Sequence, residues 1–128
     1  MINRRPYIAE SAVNPGCAVV QGSADNKVKA PSSTGEGDFI GVYPYEANET
    51  KNANEEIGIV LHGQVKVLAG GNVVAGKPGR LKNDASGSFV ALPATAGTYR
   101  TVGIFLEGGA AGEYVDFFVE RGSVTVTV

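Results

Sequence analysis

Two strand-like runs lie next to each other in the middle of the chain: Glu56-Ile57-Gly58-Ile59-Val60-Leu61 and Gln64-Val65-Lys66-Val67-Leu68. In the second run Val65 and Val67 alternate with polar residues, so they share one face of an extended chain. β-branched residues dominate both runs, and strands accommodate them better than helices do. The pair therefore predicts β-structure at the centre of the sequence.

Similar short runs recur along the rest of the chain, separated by Gly, Pro, Asn and Asp, at residues 17–20, 27–30, 39–43, 79–82, 89–92, 99–106, 114–120 and 124–128. No stretch of ten or more residues has an apolar helical face, and the acidic segment 46–56 forms at most one turn of helix. The sequence therefore predicts an all-β fold, a small Gly-rich β-barrel or β-sandwich with at most one short helical turn. The strictly alternating tail 124–128 is expected to pair at a sheet edge or to cross to a neighbouring subunit.

The composition limits the size and the partners of this fold. With 128 residues, 43% of them hydrophobic, the chain is long enough for one domain with a core, and its 18 glycines indicate many turns. The net charge of −2 argues against general binding to nucleic acid or to an anionic membrane. The charges come in blocks, since segment 36–56 holds six acidic residues against Lys51, whereas segment 66–82 holds four basic residues and no acidic one.

Rare residues exclude most catalytic chemistry. The chain has a single cysteine, Cys17, and a single histidine, His62, so it has no internal disulfide and no zinc site of the usual type. Both lie in strand-like runs, which favours a buried thiol over a catalytic dyad. Segment 71–78 matches a phosphate-binding loop except at its last position, where Pro78 replaces the required Ser or Thr, and it is interpreted as a β-turn. We expect no catalytic residue, metal or cofactor.

The N-terminal residues differ from the rest of the chain. Residues 1–12 are mostly polar and show no strand or helix pattern, so the sequence predicts a flexible N-terminal arm at 1–12 followed by a single all-β domain at 13–128. Such an arm is either frayed or ordered by a partner. In the second case the candidate anchors are four residues of the arm: Arg4, Arg5, Tyr7 and Ile8.

A series of glycine-containing motifs follows in a fixed order: Asn14-Pro15-Gly16-Cys17-Ala18-Val19, Phe39-Ile40-Gly41-Val42, the central runs at 55–67, Val74-Ala75-Gly76-Lys77-Pro78-Gly79, Thr101-Val102-Gly103-Ile104-Phe105 and Gly112-Glu113-Tyr114-Val115-Asp116-Phe117-Phe118-Val119. In this order the chain resembles the capsid decoration, or cement, proteins of tailed bacteriophages. The resemblance covers roughly residues 13–120, and each motif alone has little specificity.

The resemblance implies a non-catalytic structural protein of the virion. It would bind the major capsid protein on the outer surface of the phage head as a homotrimer, and it would stabilise the assembled head without nucleic acid or membrane as a partner. We expect the arm to make the main capsid contact and a basic loop, with Lys77, Arg80 and Lys82, to make a weaker one. On this hypothesis, deletion of residues 2–12 leaves a folded protein that no longer binds heads.

Other functions are compatible with the same residues. One is a different virion β-module, such as a head-completion, tail-tube or fibre-tip domain, which would be present in far fewer copies per particle. Another is a small carbohydrate- or ligand-binding β-module, although such modules usually present exposed tryptophan or tyrosine on a concave face and this chain has no tryptophan. An enzyme is the least favoured, because one histidine and one cysteine offer little from which to build a site.

Overall fold

The computed structural model describes residues 3–31, 38–82 and 84–127. In these ranges the chain forms nine strands: β1 Asn3–Ala9, β2 Ala18–Gln21, β3 Lys27–Lys29, β4 Phe39–Val42, β5 Glu56–Leu68, β6 Pro78–Leu81, β7 Phe89–Ala91, β8 Gly97–Phe105 and β9 Tyr114–Val126. A single 3-10 turn, Tyr45–Ala47, precedes β5. The predicted all-β fold with at most one short helical turn is confirmed.

The N-terminal half of the molecule is a closed barrel of five strands. The strands follow the order β1-β3-β2-β4-β5, and β5 pairs back onto β1 to close the ring. The closing contact is antiparallel and runs from Ile8↔Glu56 to Asn3↔His62, whereas β1 and β3 are parallel. Closure leaves the barrel without the unpaired strand edges that an open sheet exposes.

The prediction of a flexible arm at residues 1–12 is wrong for Asn3–Ala9, because this segment is β1 of the barrel. Tyr7 and Ala9 alternate into the barrel interior and are 5% and 0% exposed. Residues 3–6 are all exposed, so only two buried positions mark the strand and its apolar pattern is too short to recognise. We therefore expect deletion of residues 2–12 to open the barrel, contrary to the prediction of a folded truncation.

The C-terminal half is an open sheet in the order β5-β9-β8-β6-β7. Strand β5 belongs to both halves: its first part closes the barrel, and its second part pairs with β9 from Gly63↔Val119 to Leu68↔Tyr114. Gly63, between these parts, has φ 114°, a backbone conformation that favours glycine. The two central runs of the sequence are therefore one strand of 13 residues that passes from the barrel into the sheet.

Two clusters of buried side chains correspond to these halves. The barrel core consists of Tyr7, Ala9, Val13, Val19, Val28, Tyr43, Ile57 and Ile59. The sheet core lies between the barrel and the open sheet, and it consists of Ala18, Phe39, Val42, Val60, Val65, Val67, Ala69, Val73, Phe89, Val102, Phe105, Val115, Phe117 and Val119. Neighbouring residues of β5, Ile59 and Val60, belong to different cores because successive side chains of a strand point to opposite faces.

Close packing of β4 on β5 depends on one glycine. A Cβ atom at Gly41 would lie 2.3 Å from the carbonyl oxygen of Val60 and 2.8 Å from Cγ2 of Ile59. Both distances are too short for any side chain, so the two strands reach this separation only with glycine at position 41. The Phe39-Ile40-Gly41-Val42 motif of the sequence thus has a packing role at the junction of the two cores.

Candidate interaction surface

The four candidate anchors of the arm lie on β1, and the structure separates them by burial. Arg4 and Arg5 are exposed, Ile8 is half-buried, and Tyr7 belongs to the barrel core. A side chain that is 5% exposed offers almost no surface to a partner, so Tyr7 serves the core and is removed from the candidate contacts. The guanidinium of Arg5 lies 4.8 Å from the centre of the Tyr7 ring, which places this cation against the barrel wall.

The acidic segment before β5 is tied to the barrel at several points. Glu46, on the 3-10 turn, forms an ion pair with Arg4 of β1. Glu49 forms an ion pair of 2.9 Å with Lys51, and the hydrogen bond from the ammonium to this carboxylate raises the pKa of Lys51. The Tyr43 hydroxyl donates to the carbonyl oxygen of Glu49 at 2.8 Å. Part of the acidic block is thus neutralised within the chain.

The basic residues predicted as a second contact lie on or beside β6, in the open sheet. Lys77 and Lys82 are exposed, and the Lys82 ammonium is 3.7 Å from the Asp84 carboxylate. Arg80 is half-buried, its guanidinium lies 5.5 Å from the centre of the Tyr99 ring, and its Nε is buried without a hydrogen-bond partner. Because β1 is part of the barrel and three strands of the sheet order separate it from β6, the structure does not bring the two predicted contact sets together.

A third cationic region was not predicted from the sequence. A groove of about 190 Å³ lies between the start of β4 and the register shift in the pairing of β8 with β9, and its lining includes Arg100, Arg121 and Asp38. Arg121 donates to the carbonyl oxygen of Ile40 at 3.3 Å and lies 5.8 Å from the centre of the Phe39 ring. Arg100 and Arg121 are distant from the other basic residues in sequence, so no local charge pattern identifies the groove.

The outer face of the open sheet combines apolar and charged side chains. Ile104 of β8 pairs across the sheet with Phe118 of β9, and Ile104 is 40% exposed. On β5, the His62 ring contacts Phe118 edge-on at 5.1 Å, and its Nε2 lies 3.6 Å from a carboxylate oxygen of Glu120. The sequence indicates that Asp116, Phe118 and Glu120 share the exposed face of a half-exposed strand, but it did not identify this face as a contact surface.

The side chains with catalytic potential are arranged as structural groups. Cys17 is buried, and burial raises the pKa of its thiol to about 11, so the thiol is protonated near neutral pH. Its sulfur contacts the carbonyl oxygen of Pro15 at 3.9 Å, whereas His62 pairs with Glu120 on the surface. Among the residues that the structure describes, no group of three or more His, Cys, Asp or Glu side chains is placed to hold a metal ion. Within the same residues, no helix is long and apolar enough to cross a membrane.

The closed barrel and the open sheet thus each carry exposed charged side chains, Arg4 and Arg5 on the first and Lys77 and Lys82 on the second. The chain belongs to the phage structural cement protein family, because the profile of that family, described as structural cement protein (E217 gp24/Pam3 gp6), matches residues 2–127. The resemblance recognised in the sequence is thereby confirmed. The protein is a structural component of the virion and binds the exterior of the phage head.

A solved structure with the same fold is the N base of the head fiber gp8.5 of bacteriophage phi29. The two share 14% sequence identity with a TM-score of 0.60, over 94% of this chain and 95% of the other. At this identity the likeness concerns the fold alone, and it shows that the combination of barrel and open sheet recurs in a second phage protein. A comparison with curated protein sequences finds no match.

Proposed function

We propose that the protein binds the major capsid protein on the outer surface of the assembled head, as a homotrimer, and that it stabilises the head without catalysis. The observation that carries this proposal is the match to the structural cement family over residues 2–127. The likeness in fold to the base of a phage head fiber supports the same location.

The main contact is assigned to the exposed side chains of β1 on the surface of the barrel. Arg4 and Arg5 are the exposed cations of this strand, and Ile8 adds a half-buried apolar side chain. Because β1 pairs with β5 from Asn3 to Ile8 and with β3 at Ile8 and Ala9, its backbone is ordered before the partner binds. An ordered contact loses less conformational entropy on binding than a flexible arm, so it requires fewer contacts for the same affinity.

A weaker contact is assigned to the basic residues at β6. Lys77 and Lys82 are exposed, and Arg80 is partly held against Tyr99. Two contact regions on different halves of one molecule suit a protein that bridges neighbouring capsid subunits. Binding only to the assembled lattice stabilises that lattice by mass action, and many copies of a bridging protein add their effects.

The test uses isolated heads from which the cement protein has been removed. Arg4→Ala combined with Arg5→Ala is expected to weaken sedimentation with heads by about tenfold or more, a loss of about 1.4 kcal/mol. The control is Lys27→Ala combined with Lys29→Ala, which removes the same charge from the adjacent strand β3 and is expected to leave binding unchanged. Equal affinity for the wild type and the arginine variant would exclude β1 as the main contact.

The same assay measures the second region and its electrostatic character. Lys77→Ala combined with Lys82→Ala is expected to weaken binding less than the arginine variant does. Binding of the wild type should also weaken as salt is raised from about 0.05 M to about 0.5 M, because exposed charges are screened over shorter distances at higher ionic strength. Binding that is insensitive to salt would contradict a contact based on these cations.

A further inference from the structure

The groove between β4 and the paired strands β8 and β9 is a cationic site that neither of the two assigned contacts uses. Its lining includes Arg100 of β8 and Arg121 of β9, together with Phe39 and Val102, which are 9% and 7% exposed. Its volume of about 190 Å³ is below the range of about 300–1,000 Å³ that is typical of sites for drug-sized ligands. The groove therefore suits a single side chain of a partner.

Arg121 is restrained before any partner binds. Its guanidinium donates to the carbonyl oxygen of Ile40 at 3.3 Å and lies 5.8 Å from the centre of the Phe39 ring. The Phe39 ring in turn packs edge-on against Phe89 of the sheet core, at a ring-centre distance of 6.5 Å. A guanidinium has five N–H donors, so the bond to Ile40 leaves most of them for a ligand. A cation held in this way loses little conformational entropy on binding.

The two arginines of the groove differ from other surface cations in their partners. Four other cations each form an ion pair with a carboxylate of the same chain. Asp38 also lines the groove, but in the described part of the chain it forms no ion pair with Arg100 or Arg121. Two guanidinium groups and one carboxylate leave the groove with a net positive charge, which an anionic ligand would neutralise.

The strand face that carries these arginines is polar beyond the groove. Arg100 lies opposite Ser123, and Thr98 lies opposite Thr125, with the two threonine hydroxyls 3.0 Å apart. Because alternate residues of a strand share a face, Arg121, Ser123 and Thr125 follow one another on this side of β9. All of these side chains are exposed, and none is acidic. A polypeptide with one side chain in the groove would thus meet hydroxyl groups beside it, which favours a protein ligand over a free ion.

We propose that this groove binds the carboxylate of a glutamate or aspartate side chain of the major capsid protein through Arg100 and Arg121. The inference rests on the proposed function, to which it adds a third contact with the head. The anionic side chains of a protein shell are carboxylates, and a guanidinium binds a carboxylate through two parallel hydrogen bonds, which an ammonium group does not match. The apolar lining at Phe39 and Val102 can contact the methylene groups of the same side chain.

The first test measures sedimentation of the full chain with heads from which the cement protein has been removed. Arg100→Gln and Arg121→Gln are each expected to weaken binding by about tenfold, because each removes a charged hydrogen-bond donor from the groove. Lys29→Gln is the matched control, since it removes one exposed cation from β3 and is expected to leave binding unchanged. Arg100→Lys keeps the charge without the two parallel donors, so its binding should lie between the wild type and Arg100→Gln.

A carbodiimide reaction identifies the occupant of the groove. This reagent joins a lysine amine to a carboxylate in contact with it, and it does not join a guanidinium. With heads saturated by Arg100→Lys, we expect a cross-linked peptide that connects residue 100 to a glutamate or aspartate of the major capsid protein and that is absent from the wild type. A cross-link only to Asp38 of the same chain, a cross-link to a second copy of this chain, or no cross-link from residue 100 overturns the proposal.

The remaining outcomes separate this inference from the proposed function. Wild-type affinity of both Arg100→Gln and Arg121→Gln excludes the groove and leaves the cement function intact. If Arg121→Gln does not fold, as judged by circular dichroism, the exposed Arg100 decides the matter alone. A wild type that fails to sediment with heads contradicts the proposed function.

The free chain then still tests the chemistry of the groove. Nuclear magnetic resonance follows the Nε–H signals of Arg100 and Arg121 during titration with a blocked triglutamate peptide, and a blocked trilysine peptide is the control. Saturable shifts of both signals with triglutamate alone support a carboxylate site. Unchanged signals, or equal shifts with both peptides, overturn it.

Discussion

The barrel and the open sheet of this protein differ in how the edges of their strands are paired. The barrel pairs every one of its five strands on both sides, and its interior is filled by Tyr43, Ile57 and Ile59 among others. The open sheet is well packed only where it faces the barrel, and beyond Gly103 and Val119 its last two strands pair only with each other in the described part of the chain. In the described part of the chain, the barrel therefore has no unpaired strand edge, whereas the open sheet has unpaired edges.

The difference indicates how stability and contact formation are divided in this cement protein. The closed half holds the strand that carries Arg4 and Arg5, while the open half leaves the outer strand edges of residues 97–101 and 122–126 unpaired within the described part of the chain. Both depend on β5, which is the only strand shared by the two sheets of the described structure. This arrangement predicts that the two halves unfold together, and that exposed residues of the barrel affect head binding more than they affect stability.

The largest effect is expected from a cavity in either core. Ile59→Ala in the barrel core and Phe117→Ala in the sheet core should each lower the free energy of unfolding by about 3–5 kcal/mol, because both side chains are fully buried. Phe117 contacts Phe89 and Phe105 at ring-centre distances of 4.9 and 5.0 Å. Since β5 joins the halves, urea unfolding followed by circular dichroism should show one transition for both variants. Two separate transitions would show that the halves fold independently.

A smaller effect is expected where β4 packs on β5. Gly41→Ala should cost about 1–3 kcal/mol, because its Cβ would meet the backbone of Val60. Gly58→Ala is the control on β5, where an added Cβ meets no atom within 4 Å and φ is not positive; it should be neutral or stabilising by up to about 1 kcal/mol. Thermal unfolding of both variants measures the difference, and equal melting temperatures would contradict the close approach of the two strands.

The smallest effect is expected at the surface of the barrel. Arg4 and Glu46 form an ion pair between side chains that are 46% and 70% exposed, so Arg4→Ala should cost less than about 1 kcal/mol. Glu46→Gln should have the same small effect, and the double variant should cost no more than either single one. If Arg4→Ala lost head binding while keeping this stability, the role of Arg4 in contact would be separated from its role in folding.

The sequence predicted the kind of structure and most strand positions, because these depend on local alternation. Phe39–Val42 and the end of β9 were recognised as strands, whereas the helical turn allowed within segment 46–56 was not placed; the structure has it at Tyr45–Ala47. Strand β1 was missed because its exposed residues hide the buried alternation of Tyr7 and Ala9. Closure of the barrel could not be inferred at all, since it depends on pairing between residues about 50 positions apart, such as Tyr7 and Ile57, which no local pattern specifies.

For the contact surface, local charge was informative only in part. Arg4 and Arg5 are adjacent in the sequence, and Lys77 and Lys82 lie in one basic segment, so both pairs were identified, and the structure leaves all four exposed. The groove with Arg100 and Arg121 was missed because only the pairing of β8 with β9 and the packing of this pair beside β4 bring the two residues together. A pattern in the sequence finds a charged segment, but only the fold determines which charges meet.

The passage of β5 through both halves has a mechanical consequence. This strand of 13 residues has a contour length of about 40 Å and runs without interruption from the barrel into the sheet. A pull between the barrel and the sheet along this direction is therefore resisted by the polypeptide backbone, and the hydrogen bonds on either side are loaded in shear, many at once. A molecule built in this way can bear tension between two points of the phage head.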